Sequence, residues 1–114
     1  MSVSGEKDCI FCKILRGELP CAKVYEDDHT LAFYPNRPEH PEHTLVVPKT
    51  HVRNIKDCPP EVLNHVMATV QKIAKKHKCV KIVQNNDKPL QEVLHLHFHI
   101  IPWSNKQTWQ SKSS

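Results

Sequence analysis

Residues 93–102 read VLHLHFHIIP. Histidine alternates with an apolar residue through His95, Leu96, His97, Phe98, His99 and Ile100, and Pro102 closes the run. A period of two is the signature of a β-strand with two unlike faces. The spacing predicts a strand over Val93–Ile101, with three imidazoles on one face about 6.7 Å apart and Leu96, Phe98 and Ile100 turned into a core. Burying such a row without partners would cost a few kcal/mol. The row therefore predicts a working face that binds a metal or moves protons and phosphate. Nine histidines among 114 residues strengthen that expectation.

The other elements follow from punctuation and periodicity. Ile10, Phe11, Ile14 and Leu15 recur at helical spacing within Cys9–Arg16, and Gly17 is the stop. Ala22–Glu26 and Thr30–Tyr34 read as two short strands joined by Asp27-Asp28-His29. Residues 35–42, PNRPEHPE, form a proline-rich loop, because proline cannot serve a central strand. His43–Val47 is a strand stopped by Pro48. Residues 49–58 connect it to a helix opened by Pro59 and Pro60, in which Leu63, Val66, Met67, Val70, Ile73 and Ala74 recur as far as about His77. Val80–Gln84 is a strand, and Asn85-Asn86-Asp87 a turn. The order predicts an α+β domain: a mostly antiparallel sheet of about five strands with two helices packed against it. Residues 1–8 read as a flexible leader, 9–102 as the domain and 103–114 as a tail.

Composition excludes several functions. Gly5 and Gly17 are the only glycines, too few for a glycine-rich phosphate loop. No apolar run approaches the roughly 18 residues of a membrane span, and Met1–Asp8 has no apolar core for secretion, so neither membrane association nor export is expected. Residues 58–114 carry a net charge of +5 against −1 in residues 1–57. Much of that excess is Lys72, Lys75, Lys76 and Lys78 at a helix end, where cations complement the dipole. No aromatic residues are interleaved there, so no nucleic-acid partner is expected.

Five cysteines in a chain without a secretion signal predict reduced thiols or metal ligation rather than disulfides. Cys9-Ile10-Phe11-Cys12 is a Cys-x-x-Cys pair. Alone it leaves zinc, redox chemistry and two buried small residues open. Cys21, Cys58 and Cys79 read as structural or exposed thiols, and His29, His65 and His77 as surface residues.

HLHFHII matches the His-φ-His-φ-His-φ-φ pattern of the histidine triad (HIT) hydrolases. CIFCKILRGELP, KVYEDDHTLAF, HTLVVPKTHV and IVQNN also resemble the corresponding family segments, in the same order, over roughly residues 9–102. The resemblance implies a nucleotide phosphoramidase or related nucleotidyl hydrolase. His97 would be the nucleophile at an α-phosphorus, forming a covalent nucleotidyl-histidine that water resolves to a nucleoside monophosphate. His99 would hydrogen-bond the phosphate or leaving group, and His43 would support the triad from behind. Asn85 and Gln91 align with family residues that contact the phosphate or leaving group. The zinc-bearing members imply a structural Zn²⁺ held by Cys9, Cys12, His51 and His95. A nucleotide ligand (a purine by preference), a homodimer and a cytoplasmic, or in a eukaryote also nuclear, location complete the implication.

The chain also departs from the family pattern. Pro35 stands where an acidic residue usually bonds the ribose hydroxyls, and Asn36 is the nearest substitute. DKPL replaces a glycine-containing turn before Gln91. Glu92 stands where some members place a small hydroxyl residue against phosphate, and a carboxylate pointing inward there would repel an anion. Trp103 replaces an arginine common after the proline. These departures define rival readings: a nucleotide-binding interaction protein with little turnover, or a zinc-stabilised nucleic-acid adaptor.

Overall fold

The structure, a computed structural model, describes residues 9–103. The leader expected over 1–8 lies outside them, as does the expected tail except Trp103, whose N–H donates to the Cys79 carbonyl at 2.8 Å. Helix α1 spans Ile10–Leu15. Cys9 caps it, its Sγ accepting the Cys12 N–H at 3.4 Å. Gly17, at φ +83°, ends it by allowing the Gly17 and Glu18 N–H groups to reach the Ile14 and Lys13 carbonyls.

Strands β1 (Ala22–Glu26) and β2 (Thr30–Tyr34) form the expected hairpin, with a bulge between Lys23 and Tyr25. Its turn is organised by Asp27, whose Oδ1 accepts from His29 N–H, Thr30 N–H and Thr30 Oγ1 while Oδ2 accepts from the Tyr25 hydroxyl. Strand β3 is Thr44–Pro48. A short 3-10 turn, Ile55–Asp57, is capped by Asn54 within the expected connection. Helix α2 spans Pro60–Ala74, with proline at its first position as the sequence requires. Strand β4 is Val80–Val83 and β5 is Phe98–Pro102.

The strands lie in the order β1-β2-β3-β5-β4, and every pairing is antiparallel. The α+β expectation of about five strands and two helices is met. The last strand enters the middle of the sheet, between β3 and β4. Both faces of the central strands are covered, which is why Thr30–Phe33 and Thr44–Pro48 are buried throughout. On one face Ala32, Val46, Leu96, Phe98 and Ile100 pack against Val66, Val70 and Ile73 of α2. On the other, Leu31, Phe33, Leu45 and Val47 pack under Phe11 of α1.

One element differs from expectation. Strand β5 begins at Phe98, not Val93. The preceding segment turns instead, with His95 N–H donating to Val93 O at 2.8 Å and Leu96 N–H to Val52 O at 2.7 Å. Only His99 of the three motif histidines stands on the strand proper. The motif's apolar residues Leu96, Phe98 and Ile100 do enter the core.

Candidate active site and metal centre

Because β5 pairs with β3, Leu45 lies opposite His99 and Thr44 opposite Ile100, so His43 at the start of β3 comes alongside the motif. The His43 Nε2 and His99 Nδ1 atoms are 3.0 Å apart. The other nitrogen of His43, Nδ1, accepts the Glu39 N–H at 3.0 Å. A backbone N–H can only donate, so neutral His43 carries its proton on Nε2 and donates it to His99 Nδ1. Neutral His99 then carries its own proton on Nε2, as a donor. Burial pulls His43 below the ordinary imidazole range. It pulls His99 down to about 4, with His97 and His43 adding to the effect. Both are therefore neutral at pH 7.

His97 is held differently. Its Nδ1 lies 2.7 Å from the His95 carbonyl, which can only accept, so Nδ1 carries the proton and Nε2 keeps its lone pair. Burial lowers its proton affinity, opposed by that hydrogen bond and by the Glu92 charge. Its ring centroid is 5.0 Å from Phe11 and 5.1 Å from His99. His97 is only 7% exposed and His95 is fully buried. The cost is met by partners, since the described residues contain no buried side-chain nitrogen or oxygen lacking a hydrogen bond.

His95 faces away from this pair. Its Nε2–H donates to the Pro48 carbonyl at 3.0 Å, leaving Nδ1 as a ligand atom 3.4 Å from Cys9 Sγ and 3.5 Å from Cys12 Sγ. Burial lowers its proton affinity to about 4. His51 Nδ1 lies 3.2 Å from Cys12 Sγ. The ligand atoms of Cys9, Cys12, His51 and His95 all lie within 4.8 Å of one another. Two sulfurs and two imidazole nitrogens around a tetrahedral zinc would stand about 3.5 Å apart, sulfur to nitrogen, so the set fits that ion. The Pro48 carbonyl supplies the outer hydrogen bond such a ligand needs.

The two amides read as phosphate contacts are placed unlike each other. Gln91 is buried and committed: Oε1 accepts from Asp87 N–H at 2.7 Å, and Nε2 donates to the Arg53 and Val93 carbonyls at 2.6 and 3.0 Å. Asn85 is half-buried, and its side chain makes no hydrogen bond among the described residues. Asn54 and Asn86, which sequence reading gave no role beyond loop and turn, join Gln91 in tying residues 84–91 to 53–55. Sequence reading also missed Phe11, packed edge-on to His95 and His97, and the Glu39 amide. Phe11 was visible as the apolar residue between two cysteines. A backbone amide leaves no mark in a sequence. His29 and His65, exposed as expected, stack at 3.6 Å.

The chain belongs to the HIT domain family, matching that domain over residues 16–106. It is 45% identical over 100 residues to an uncharacterized HIT-like protein of Methanocaldococcus jannaschii, covering 82% of this chain and 78% of that one. It is 40% identical to the adenosine 5'-monophosphoramidase of Saccharomyces cerevisiae (82% of this chain, 61% of that one). It is 36% identical to an adenylylsulfatase of Arabidopsis thaliana (95% and 59%). Among solved structures, a Hit-like protein of Bartonella henselae superposes with a TM-score of 0.84 at 42% identity, covering 89% of this chain and 84% of that one. A Zn-bound histidine triad family protein of Mycobacterium smegmatis gives 0.83 at 35% identity, covering 91% and 81%.

Proposed function

We propose that this protein is a nucleotidyl hydrolase acting on nucleoside phosphoramidates or related phosphoanhydrides through a covalent nucleotidyl-His97. The observation that carries the reading is the tautomer of His97. With Nδ1–H held by the His95 carbonyl, Nε2 presents a lone pair beside a donor, His99 Nε2–H. A neutral imidazole is a competent nucleophile at pH 7, and a two-step displacement lowers each barrier. His97 Nε2 attacks the α-phosphorus and the leaving group departs. His99 donates to a phosphoryl oxygen, and His43 keeps His99 in the donating tautomer. Water then attacks phosphorus and releases the nucleoside monophosphate. Asn85 is free to contact the phosphate; Gln91 acts through the loop it shapes. The relatives named monophosphoramidase and adenylylsulfatase support the reaction class.

Cys9, Cys12, His51 and His95 would hold one zinc ion, whose chemistry here is structural: it would tie α1 to the loop after β3 and to the motif. A homodimer, a purine nucleotide as ligand and a reducing, cytoplasmic or nuclear setting belong to the same reading. The described cysteines form no disulfide, in keeping with such a setting. A second reading, nucleotide binding with little turnover, draws on Pro35 at the ribose position. The test is release of adenosine monophosphate from adenosine phosphoramidate, with acid-quenched protein analysed by mass spectrometry for an adenylyl group on the peptide containing His97. Tight binding without release or adduct would favour the second reading.

A further inference from the structure

An open cleft of about 280 Å³ leads to the cysteine–histidine cluster, its walls including Cys9, Ile10, His51, Lys88, Val93 and Leu94. Two of the four candidate ligands, Cys9 and His51, line it and are half-buried. The other two do not line it, and Cys12 and His95 are fully buried. The cluster thus has one sulfur that a small molecule can reach from solvent and one that it cannot. The shielded sulfur is nonetheless close to the accessible one. The four ligand atoms lie within 4.8 Å of one another, and Cys9 Sγ accepts the Cys12 N–H at 3.4 Å. An accessible thiol with a shielded thiol beside it has the arrangement of a reactive cysteine and its resolving partner.

We propose that Cys9 and Cys12 form a peroxide-sensitive pair: a peroxide entering the cleft oxidises Cys9, Cys12 closes a disulfide on it, and the metal-binding set is taken apart. The inference rests on the zinc reading of the cluster. The Cys9 thiolate attacks one peroxide oxygen, the O–O bond breaks and hydroxide leaves, which puts a sulfenic acid on Cys9. The Cys12 thiolate then attacks that sulfur, the S–O bond breaks and a second hydroxide leaves. With two protons from solvent, one peroxide is reduced to two waters and two thiolates are oxidised to one disulfide. The thiolate, not the disulfide, is the metal ligand, so only His51 and His95 remain where a closed zinc site needs four ligands. In a reducing compartment such a disulfide is transient, which suits a sensor rather than a permanent staple.

The experiment exposes the zinc-loaded protein to hydrogen peroxide. Metal release is followed with a chromogenic chelator, and the remaining thiols are alkylated and located by mass spectrometry. Zinc should leave in step with a Cys9–Cys12 disulfide, about one ion per disulfide, while most of Cys79, the more exposed thiol, is still alkylated. Dithiothreitol with added zinc should restore the starting state. In Cys12→Ser, dimedone should trap a sulfenic acid on Cys9, whereas Cys9→Ser should leave Cys12 unlabelled at the same dose. The wild-type measurements decide the matter even where a serine variant fails to fold. Oxidation of Cys79 with Cys9 and Cys12 still reduced and zinc retained would overturn the proposal and leave the zinc reading standing. A protein that neither carries zinc as purified nor takes it up would overturn the zinc reading and this inference with it.

Discussion

His97 is held at Nδ1 by a carbonyl 2.7 Å away and set edge-on to Phe11. His97→Ala should reduce release of nucleoside monophosphate by about 10³-fold or more, measured under single-turnover conditions. The residue is also packed, so the same change should cost about 1–3 kcal/mol in urea denaturation. The orientation of His99 depends on a group with no side-chain signature. Glu39→Pro removes the N–H that His43 Nδ1 accepts, while Glu39→Ala keeps it. The proline variant should lose about tenfold in kcat and the alanine variant almost nothing, with Tm reported for both. The identity of the chemical residues was legible because histidine at period two is rare and costly. Their tautomers were not, because they are set by carbonyls and amides that every residue carries. Gln91 shows the converse: its alignment pointed to phosphate, and its burial commits all its described hydrogen bonds to a loop.

Helix α1 has six residues, below the length at which a helix persists unaided, and rests on Phe11 packing and on the cysteine cluster. Protein purified without chelator should contain about one zinc per chain, and Cys12→Ser should lose it and lower Tm, since metal affinity is folding free energy at such a site. Element boundaries were legible where chain chemistry is local, as at Gly17 and Pro60. The start of β5 was not. Alternation describes any extended chain, and residues 93–97 are bent by the Val52 carbonyl and by the pull of His95 toward two distant cysteines. The β1–β2 turn offers a pH test. At Asp27 desolvation raises proton affinity, yet the bonds from His29, Tyr25 and Thr30 outweigh it and hold the carboxyl at about 2. The folded value is thus depressed below the unfolded one, about 3.9. The stability it contributes is present above about pH 4 and lost as pH falls through about 2. Acid titration of wild type against Asp27→Asn should show a smaller loss in the variant, in which Glu18, Glu26 and Asp87 still titrate from depressed values.

At the scale of the molecule, β4 is an open edge of the sheet and carries Ile82 at 42% exposed. Such an edge invites a second copy. Light scattering should give twice the 13.2 kDa chain mass, and Ile82→Lys should give the monomer value. No described helix is long and apolar enough to cross a membrane. The placing of β5 has a consequence for how the protein comes into being. β4 is made before β5 and has no strand beside it until β5 arrives. Cys9 waits for His95 across 86 residues of chain. While it is being synthesised, the polypeptide therefore holds an unfilled slot between β3 and β4, and neither the thiol cluster nor the reactive pair exists. Contacts so far apart in the chain carry a loop-closure entropy that must be met before they form. One late insertion completes the sheet, supplies the last ligand and assembles the chemistry together, so a prematurely released chain is inert rather than half-active.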